Sequence, residues 1–265
     1  MAKTNSRRAQ KTSSLKMKSK GAPTNYKIGV FGAGGRMGQE VLAVLREVLG
    51  INSYLSVLSV LSVLSVDVEK QDHAAQNIVF DLKNTQCKNV QIWIDFSSPE
   101  GFSEIYKFCK ENKMALVSGT TGLSKSQIKE MEKSPIPLLW SPNMSLGINI
   151  LLKALHALKG AEGFDFQIEE FHHTQKKDKP SGTALLLQNE LESIVGHSLE
   201  KPLSIRGGGI YGIHKIWAMS EEETISFEHQ ALNRRVFAKG AVQAAQWLKK
   251  QKPGLYSLQS LLEHP

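Results

Sequence analysis

Two adjacent histidines, three lysines and the start of a helix fall within fifteen residues, Glu170 to Ala184 (Glu-Phe-His-His-Thr-Gln-Lys-Lys-Asp-Lys-Pro-Ser-Gly-Thr-Ala). An apolar run from Phe164 to Ile168 leads in and reads as a strand, and the residues after Ala184 read as a helix. A Pro-Ser-Gly-Thr turn opening a helix leaves backbone N–H groups free at the positive end of the helix dipole, where a carboxylate or phosphate is stabilised. His173, Lys176, Lys177 and Lys179 add donors nearby. Such a loop could hold a small dianion and hand it a proton. Taken alone it also fits a solvated lysine face beside a structural histidine pair, so the rest of the chain has to decide.

A second chemical stretch lies near the start. Tyr26 to Phe31 is a short apolar strand, Gly32-Ala33-Gly34-Gly35-Arg36-Met37-Gly38 follows at once, and Gln39 to Leu49 has helical apolar spacing. Strand, glycine-rich turn and helix is the setting of a dinucleotide-binding turn. The glycines allow the tight bend, the approach of backbone to a pyrophosphate and the packing of the helix on the sheet. An acid that binds the adenosine ribose is expected about 20 residues on. That distance falls inside Ser56 to Val66, a three-residue Ser-Val-Leu repeat whose period suits neither helix nor strand. The expectation is an insertion by duplication in strand two, which pushes the acid downstream. Glu69 and Lys70 would then meet the ribose, with Lys70 placed for a 2′-phosphate. That Asp67 and Glu69 are ordinary turn residues remains equally open.

The elements that must position these stretches alternate. Strands are expected at 90–96, 115–117 and 137–140, with a short helix near 78–83 and longer ones after Pro99 and after Ser124, where Ser124 and Gln127 form a capping-box pattern. Alternation of this kind predicts a parallel sheet with helices on both faces and ligands at the carboxyl ends of its strands. Four polar or small turns, at 32–38, 96–99, 118–122 and 141–145, should therefore line one crevice. From Gly147 the pattern changes to helices at about 148–159 and 183–195 and strands at 203–206, 213–219 and 224–229. The fold class is thus α/β: a Rossmann-like dinucleotide-binding domain plus an α+β substrate and oligomerisation domain. The expected boundaries are a basic tail over 1–25, the dinucleotide-binding domain over 26–145 and 236–265, and the substrate domain over 146–235. The 236–249 helix is expected to return to the first domain.

Bulk composition narrows the function class. With 41% hydrophobic and 22% charged residues, the 265-residue chain reads as globular. Its formal charge of +8 looks like a nucleic-acid signal, but seven of the 33 basic residues lie in the first 25, which hold no acid. Without them 26 basic groups face 25 acidic ones, so the excess belongs to a Ser- and Lys-rich tail. The tail resembles a transit peptide in composition, but it is expected to be an inert extension, or to precede a true start at Met17. No nucleic acid and no membrane are expected. Cys87 and Cys109 have no metal-ligand spacing, so no metal and no disulfide are expected and a reduced, cytoplasmic setting fits.

Several separated motifs then stand in order: Gly-Ala-Gly-Gly-Arg-Met-Gly (32–38), Asp-Phe-Ser-Ser-Pro-Glu (95–100), Gly-Thr-Thr-Gly (119–122), Asn-Met-Ser-Leu-Gly-Ile-Asn (143–149), the His-His-x-x-Lys…Pro-Ser-Gly-Thr loop, and Arg-Gly-Gly-Gly-Ile-Tyr-Gly-Ile-His (206–214). Together they resemble the dihydrodipicolinate reductase family over residues 26–250. The resemblance implies NADH- or NADPH-dependent reduction of a cyclic dicarboxylic imine by a homotetramer, in the pathway to diaminopimelate and lysine. It implies pyrophosphate binding by Gly32, Ala33, Gly34, Gly35, Arg36 and Met37. Gly119, Thr120 and Thr121 with Ser141, Pro142, Asn143 and Met144 would face the nicotinamide. His172 would be the acid/base residue, Lys176 the proton donor, and His173, Gly182 and Thr183 would bind a substrate carboxylate. Two readings compete with this one: another two-domain NAD(P)-dependent oxidoreductase of amino-acid metabolism, and a non-catalytic dinucleotide-binding regulator.

Overall fold

The computed structural model describes residues 27–49, 55–57, 77–79, 82, 83 and 85–263. Glu69, Lys70, the basic tail and the repeat beyond Val57 lie outside the described residues.

A parallel sheet forms the larger layer. Its strands are β1 (Lys27–Phe31), β2 (Leu55–Val57), β3 (Asn77–Val79), β4 (Val90–Asp95), β5 (Ala115–Ser118) and β6 (Pro137–Trp140), joined near the C-terminus by β11 (Gly254–Tyr256). The spatial order is β11-β6-β5-β4-β1-β2-β3. The chain runs outward one way from β1 and then the other way from β4, so the carboxyl ends of β1 and β4 flank the point where the order reverses. A crevice must open there. The central strands carry unbroken apolar runs because helices cover both faces: Ile28, Val30, Ile92, Trp93, Ile94, Leu116 and Val117 are all buried.

Helix α1 (Arg36–Leu49) and helix α6 (Arg235–Leu248) pack against each other on one face. In α6 the small residues Ala238, Ala241, Ala244 and Ala245 let the backbone sit close to the sheet. The last long helix thus rejoins the first part of the chain, as its apolar spacing predicts. Helix α2 (Pro99–Asn112) starts with Pro99 in its first turn and Ser98 as cap. Helix α3 (Lys125–Met131) carries the expected Ser124–Gln127 capping box.

The smaller layer is a four-stranded sheet in the order β10-β9-β7-β8, from β7 (Asp165–His172), β8 (Leu203–Arg206), β9 (Gly212–Met219) and β10 (Thr224–Ala231). Helices α4 (Leu146–Leu155) and α5 (Gly182–Val195) cover one face of it. Ile148, Leu152, Leu187 and Leu191 pack there against Phe166, Ile168 and Ile216. Alternation along β7 sends Phe166, Ile168, Glu170 and His172 to the covered side. A short C-terminal helix, α7 (Leu258–Glu263), closes the chain.

Two expectations need correction. Residues 77–79 form a strand where a short helix near 78–83 was expected, because an open edge beside β2 accepts any extended segment whatever its helical propensity. The helix expected to run to 159 stops at Leu155 and tightens into a 3₁₀ turn, His156–Leu158. β11 had no signal in its three residues; it is created by the free edge of β6.

Candidate active site

Between the two layers lies a cleft of about 590 Å³. Arg36, Met37, Phe96, Gly119, Thr121 and Pro142 to Met144 line it from the parallel sheet, so all four polar turns named above contribute to one crevice. His172, His173, Lys176, Lys177, Thr183, Tyr211 and His214 line it from the smaller sheet.

The glycine turn fits a dinucleotide. Gly35 N–H donates to Gly32 C=O at 3.0 Å, closing a tight turn directly before α1, and Gly32 has a φ of +78°. A Cβ on Gly38 would stand 2.2 Å from Gly32 O, so only glycine lets the helix start this close to the turn. Helix α1 starts at Arg36, which lines the cleft, so the helix end that favours an anion lies at the crevice; Gly34 and Arg36 are exposed. Gly34, Arg36 and Met37 are the reachable members, while Gly32 and Ala33 are buried.

The 119–121 loop is set by a carboxylate outside the expected site. Asp95 ends β4 and is fully buried. Its Oδ1 accepts from Ser97 N–H at 3.0 Å and Ser97 Oγ at 2.6 Å. Its Oδ2 accepts from Ser118 Oγ at 2.7 Å and Thr120 Oγ1 at 2.8 Å. Burial pushes the Asp95 carboxyl up, against the pull of these hydrogen bonds. Thr120 therefore points inward, its carbonyl taking the Trp140 indole N–H at 3.0 Å, while Gly119 and Thr121 are left to the cleft. Ser141 is likewise buried and donates to Asn143 C=O.

Across the cleft, α5 begins at Gly182 with Ser181 as its cap, and Ser181 Oγ accepts from Ala184 N–H. Gly182 is exposed and Thr183 lines the cleft. Asn143 Nδ2 donates to Thr183 Oγ1 at 2.8 Å, so a residue of the β6 turn meets the helix start of the other layer. Asn143 Oδ1 accepts from Ser145 N–H, which orients the amide. With its oxygen already accepting from Asn143, the Thr183 hydroxyl keeps its own hydrogen for a ligand.

His172 ends β7 and is 6% exposed; Glu170, two residues back on the same face, is 0% exposed. His172 Nδ1 lies 2.6 Å from Glu170 Oε2. Glu170 Oε1 accepts from Arg206 Nη2 at 2.7 Å and from Ser181 N–H at 3.3 Å. Burial lowers the His172 imidazole, the charges of Lys176 and Arg206 lower it further, and Glu170 only partly offsets them. His214, its ring centroid 5.1 Å from that of His172, is driven down to about 3 by burial and by the charge of His172. Glu170 is held below its ordinary value, because its hydrogen-bond donors and His172 outweigh the effect of burial. Both imidazoles are therefore neutral near pH 7 and the carboxylate is ionised. Glu170, His172 and His214 resemble a metal-ligand set by type. However, 2.6 Å is a shared-proton distance, well short of the roughly 3.3 Å that two ligands at ~2.0–2.1 Å keep around a tetrahedral ion.

Lys176 lines the cleft with Nζ 3.0 Å from Asp178 Oδ1, and Lys177 lines it beside Lys176. Glu170, Arg206, His214 and Asp95 all sat inside recognised motifs, but no local signal marked them as working residues. Their partners are 25 to 36 positions away for Asp95–Thr120, Ser181–His214 and Glu170–Arg206.

Comparison with known proteins bears on both layers. A family model described as dihydrodipicolinate reductase, N-terminus, matches residues 26–144, and its C-terminal counterpart matches residues 147–262. A protein of Bdellovibrio bacteriovorus named 4-hydroxy-tetrahydrodipicolinate reductase is 49% identical over 239 residues, covering 89% of this chain and 96% of the relative. One of the same name from Anaplasma marginale is 35% identical over 258 residues, covering 89% and 99%. Among solved structures, a dipicolinate-bound dihydrodipicolinate reductase from Paenisporosarcina sp. TG-14 superposes with a TM-score of 0.70 at 22% identity, covering 89% of this chain and 98% of that one. An aspartate semialdehyde dehydrogenase II from Vibrio cholerae shares the fold at a TM-score of 0.56 and 13% identity, covering 85% and 98%. Fold alone does not choose between such activities.

Proposed function

The chain belongs to the dihydrodipicolinate reductase family, and from that premise we propose how its own residues carry the reaction. It is an oxidoreductase that reduces 4-hydroxy-tetrahydrodipicolinate to tetrahydrodipicolinate with NADH or NADPH, a step of diaminopimelate and lysine biosynthesis. The observation that carries the residue-level reading is the single cleft, which sets Gly119, Thr121 and Asn143 opposite His172, His173, Lys176 and Thr183.

In this reading the turn from Gly32 to Met37 holds the pyrophosphate, and Gly119, Thr121 and Pro142 to Met144 form the wall beside the nicotinamide, with the buried Thr120 and Ser141 bracing that wall from behind. The bound nicotinamide supplies the hydride, which leaves negative charge on the neighbouring carbon of the conjugated imine. Lys176 Nζ holds the proton that meets this charge. His172, kept neutral by burial and by the charges of Lys176 and Arg206, serves as the base partner. The start of α5 at Gly182 and Thr183, with His173, takes one substrate carboxylate. Residues 26–145 and 236–265 are the dinucleotide-binding domain, and 146–235 the substrate domain.

The uncovered face of the smaller sheet supports association. Strand register puts Ile205, Phe171 and Ile213 on one rung of that face, and edge residues Leu203 and Ile205 are 52% and 45% exposed. A homotetramer built through this face buries them. Among the described residues no helix is long and apolar enough to cross a membrane. We assign the enzyme to the cytoplasm on its cysteines, Cys87 and Cys109, both buried thiols outside any disulfide, which suit a reducing compartment.

The test is oxidation of NADH and of NADPH with freshly prepared substrate. Lys176→Ala should cut turnover by roughly 10²-fold or more while cofactor affinity is kept. Unchanged turnover in that variant would remove Lys176 from the mechanism.

A further inference from the structure

One buried ion pair reaches three parts of the substrate side. Arg206 sits directly beside His172 in the β7–β8 register, and its side chain is 7% exposed. Its Nη2 holds Glu170 Oε1 at 2.7 Å and also the Asp178 carbonyl, while its Nε donates to the Lys176 carbonyl at 3.2 Å. The carboxylate of Glu170 thus reaches three places: the His172 ring, the Ser181 N–H at the start of α5 and, through Arg206, the backbone of the lysine loop.

We propose that Glu170 and Arg206 are positioning residues of the reduction, with Glu170 fixing His172 as the Nδ1–H tautomer and Arg206 holding the Lys176 loop against the same carboxylate. The proposal rests on the roles given above to His172 and Lys176. Glu170 Oε2 and His172 Nδ1 are buried and stand 2.6 Å apart, and neither makes a hydrogen bond of regular geometry. Without a proton between them, two lone pairs would face each other at that distance, so the proton sits on Nδ1. The unprotonated Nε2 then faces Gly212 at the cleft wall, where even a Cβ would stand only 3.0 Å from it. Proton donation at this end of the cleft is left to Lys176.

Glu170→Gln separates positioning from bulk stability. Arg206 and Ser181 N–H both donate to Oε1, so they keep the amide oxygen on their side and turn the NH₂ toward His172 Nδ1. An NH₂ there forces the hydrogen onto Nε2 and inverts the acceptor at the cleft. With ¹⁵N-histidine-labelled full-length enzyme, NMR should show His172 protonated on Nδ1 in the unaltered chain and on Nε2 in Glu170→Gln. Turnover should fall roughly 10²-fold or more, NADH affinity should stay within a factor of about two, and Glu170→Asp should recover part of the rate. An Nε2–H tautomer in the unaltered chain overturns the proposal, even if Glu170→Gln does not fold. So does a Glu170→Gln enzyme that turns over normally. If the unaltered enzyme oxidises neither NADH nor NADPH with substrate, the parent reading has failed instead.

Discussion

A single methyl group at Gly240 should damage the enzyme in a way that the helix around it cannot absorb. Gly240 lies mid-way along α6, and a Cβ built there would stand 1.8 Å from Met144 O and 3.0 Å from Met144 C. Ordinary contact begins near 3.4 Å, so helix and loop must part by about 1.5 Å. Neither side is a flexible side chain. α6 is pinned by Ala238, Ala241, Ala244, Ala245 and Leu248, all 0% exposed. The 141–145 loop is pinned by Ser141, Asn143, Asn149 and the Thr183 contact. Overpacking of this kind costs about 3 kcal/mol or more, and the better helix propensity of alanine returns about 1 kcal/mol. A net loss of about 2 kcal/mol lowers Tm by roughly 4–8 °C in a chain of this size. Because the displaced loop carries Asn143 and Met144, the KM for NADH should rise several-fold as well. Scanning calorimetry and initial-rate kinetics on Gly240→Ala read both effects. Gly209→Ala, where nothing lies within 4 Å of the added atom, is the control and should leave Tm within a degree. A Gly240→Ala enzyme as stable as its parent would refute the claimed contact between α6 and the loop.

Two other outcomes follow from the cleft. His214 is neutral in the fold, with its pKa lowered to about 3 from an ordinary 6.5, so the unfolded chain binds the extra proton below pH 6.5. Stability from this group is therefore complete above about pH 7 and is lost as pH falls, by about 2 kcal/mol between pH 7.5 and 5. His214→Asn should flatten urea-derived stability against pH over that range, and an unchanged slope would assign the loss elsewhere. Thr183→Val removes the hydroxyl that Asn143 orients. It should raise the KM for substrate about tenfold, the weight of one hydrogen bond to a charged group, with NADH binding unaltered; an unchanged KM would show that the hydroxyl does not meet the substrate.

The parts of this protein legible in the sequence are those whose physics is local. A glycine turn between strand and helix, Pro99 in the first turn of α2, the Ser124–Gln127 capping box, the turn that opens α5, the apolar run into β7 and the histidine–lysine spacing each depend on neighbours a few positions apart. From them came the parallel sheet, the second sheet and the turns and histidine–lysine loop that meet at the cleft. The strand at 77–79 and β11 were not legible, because a three-residue strand exists only where a sheet edge receives it. Nor could the sequence show that Asp95 holds Thr120, that Asn143 reaches Thr183, or that Glu170 joins Arg206 to His172. Those partners are chosen by strand register and by the packing of one layer on the other. A charged side chain is read one way in solvent and another once buried, and only the tertiary structure decides which groups lose their water together.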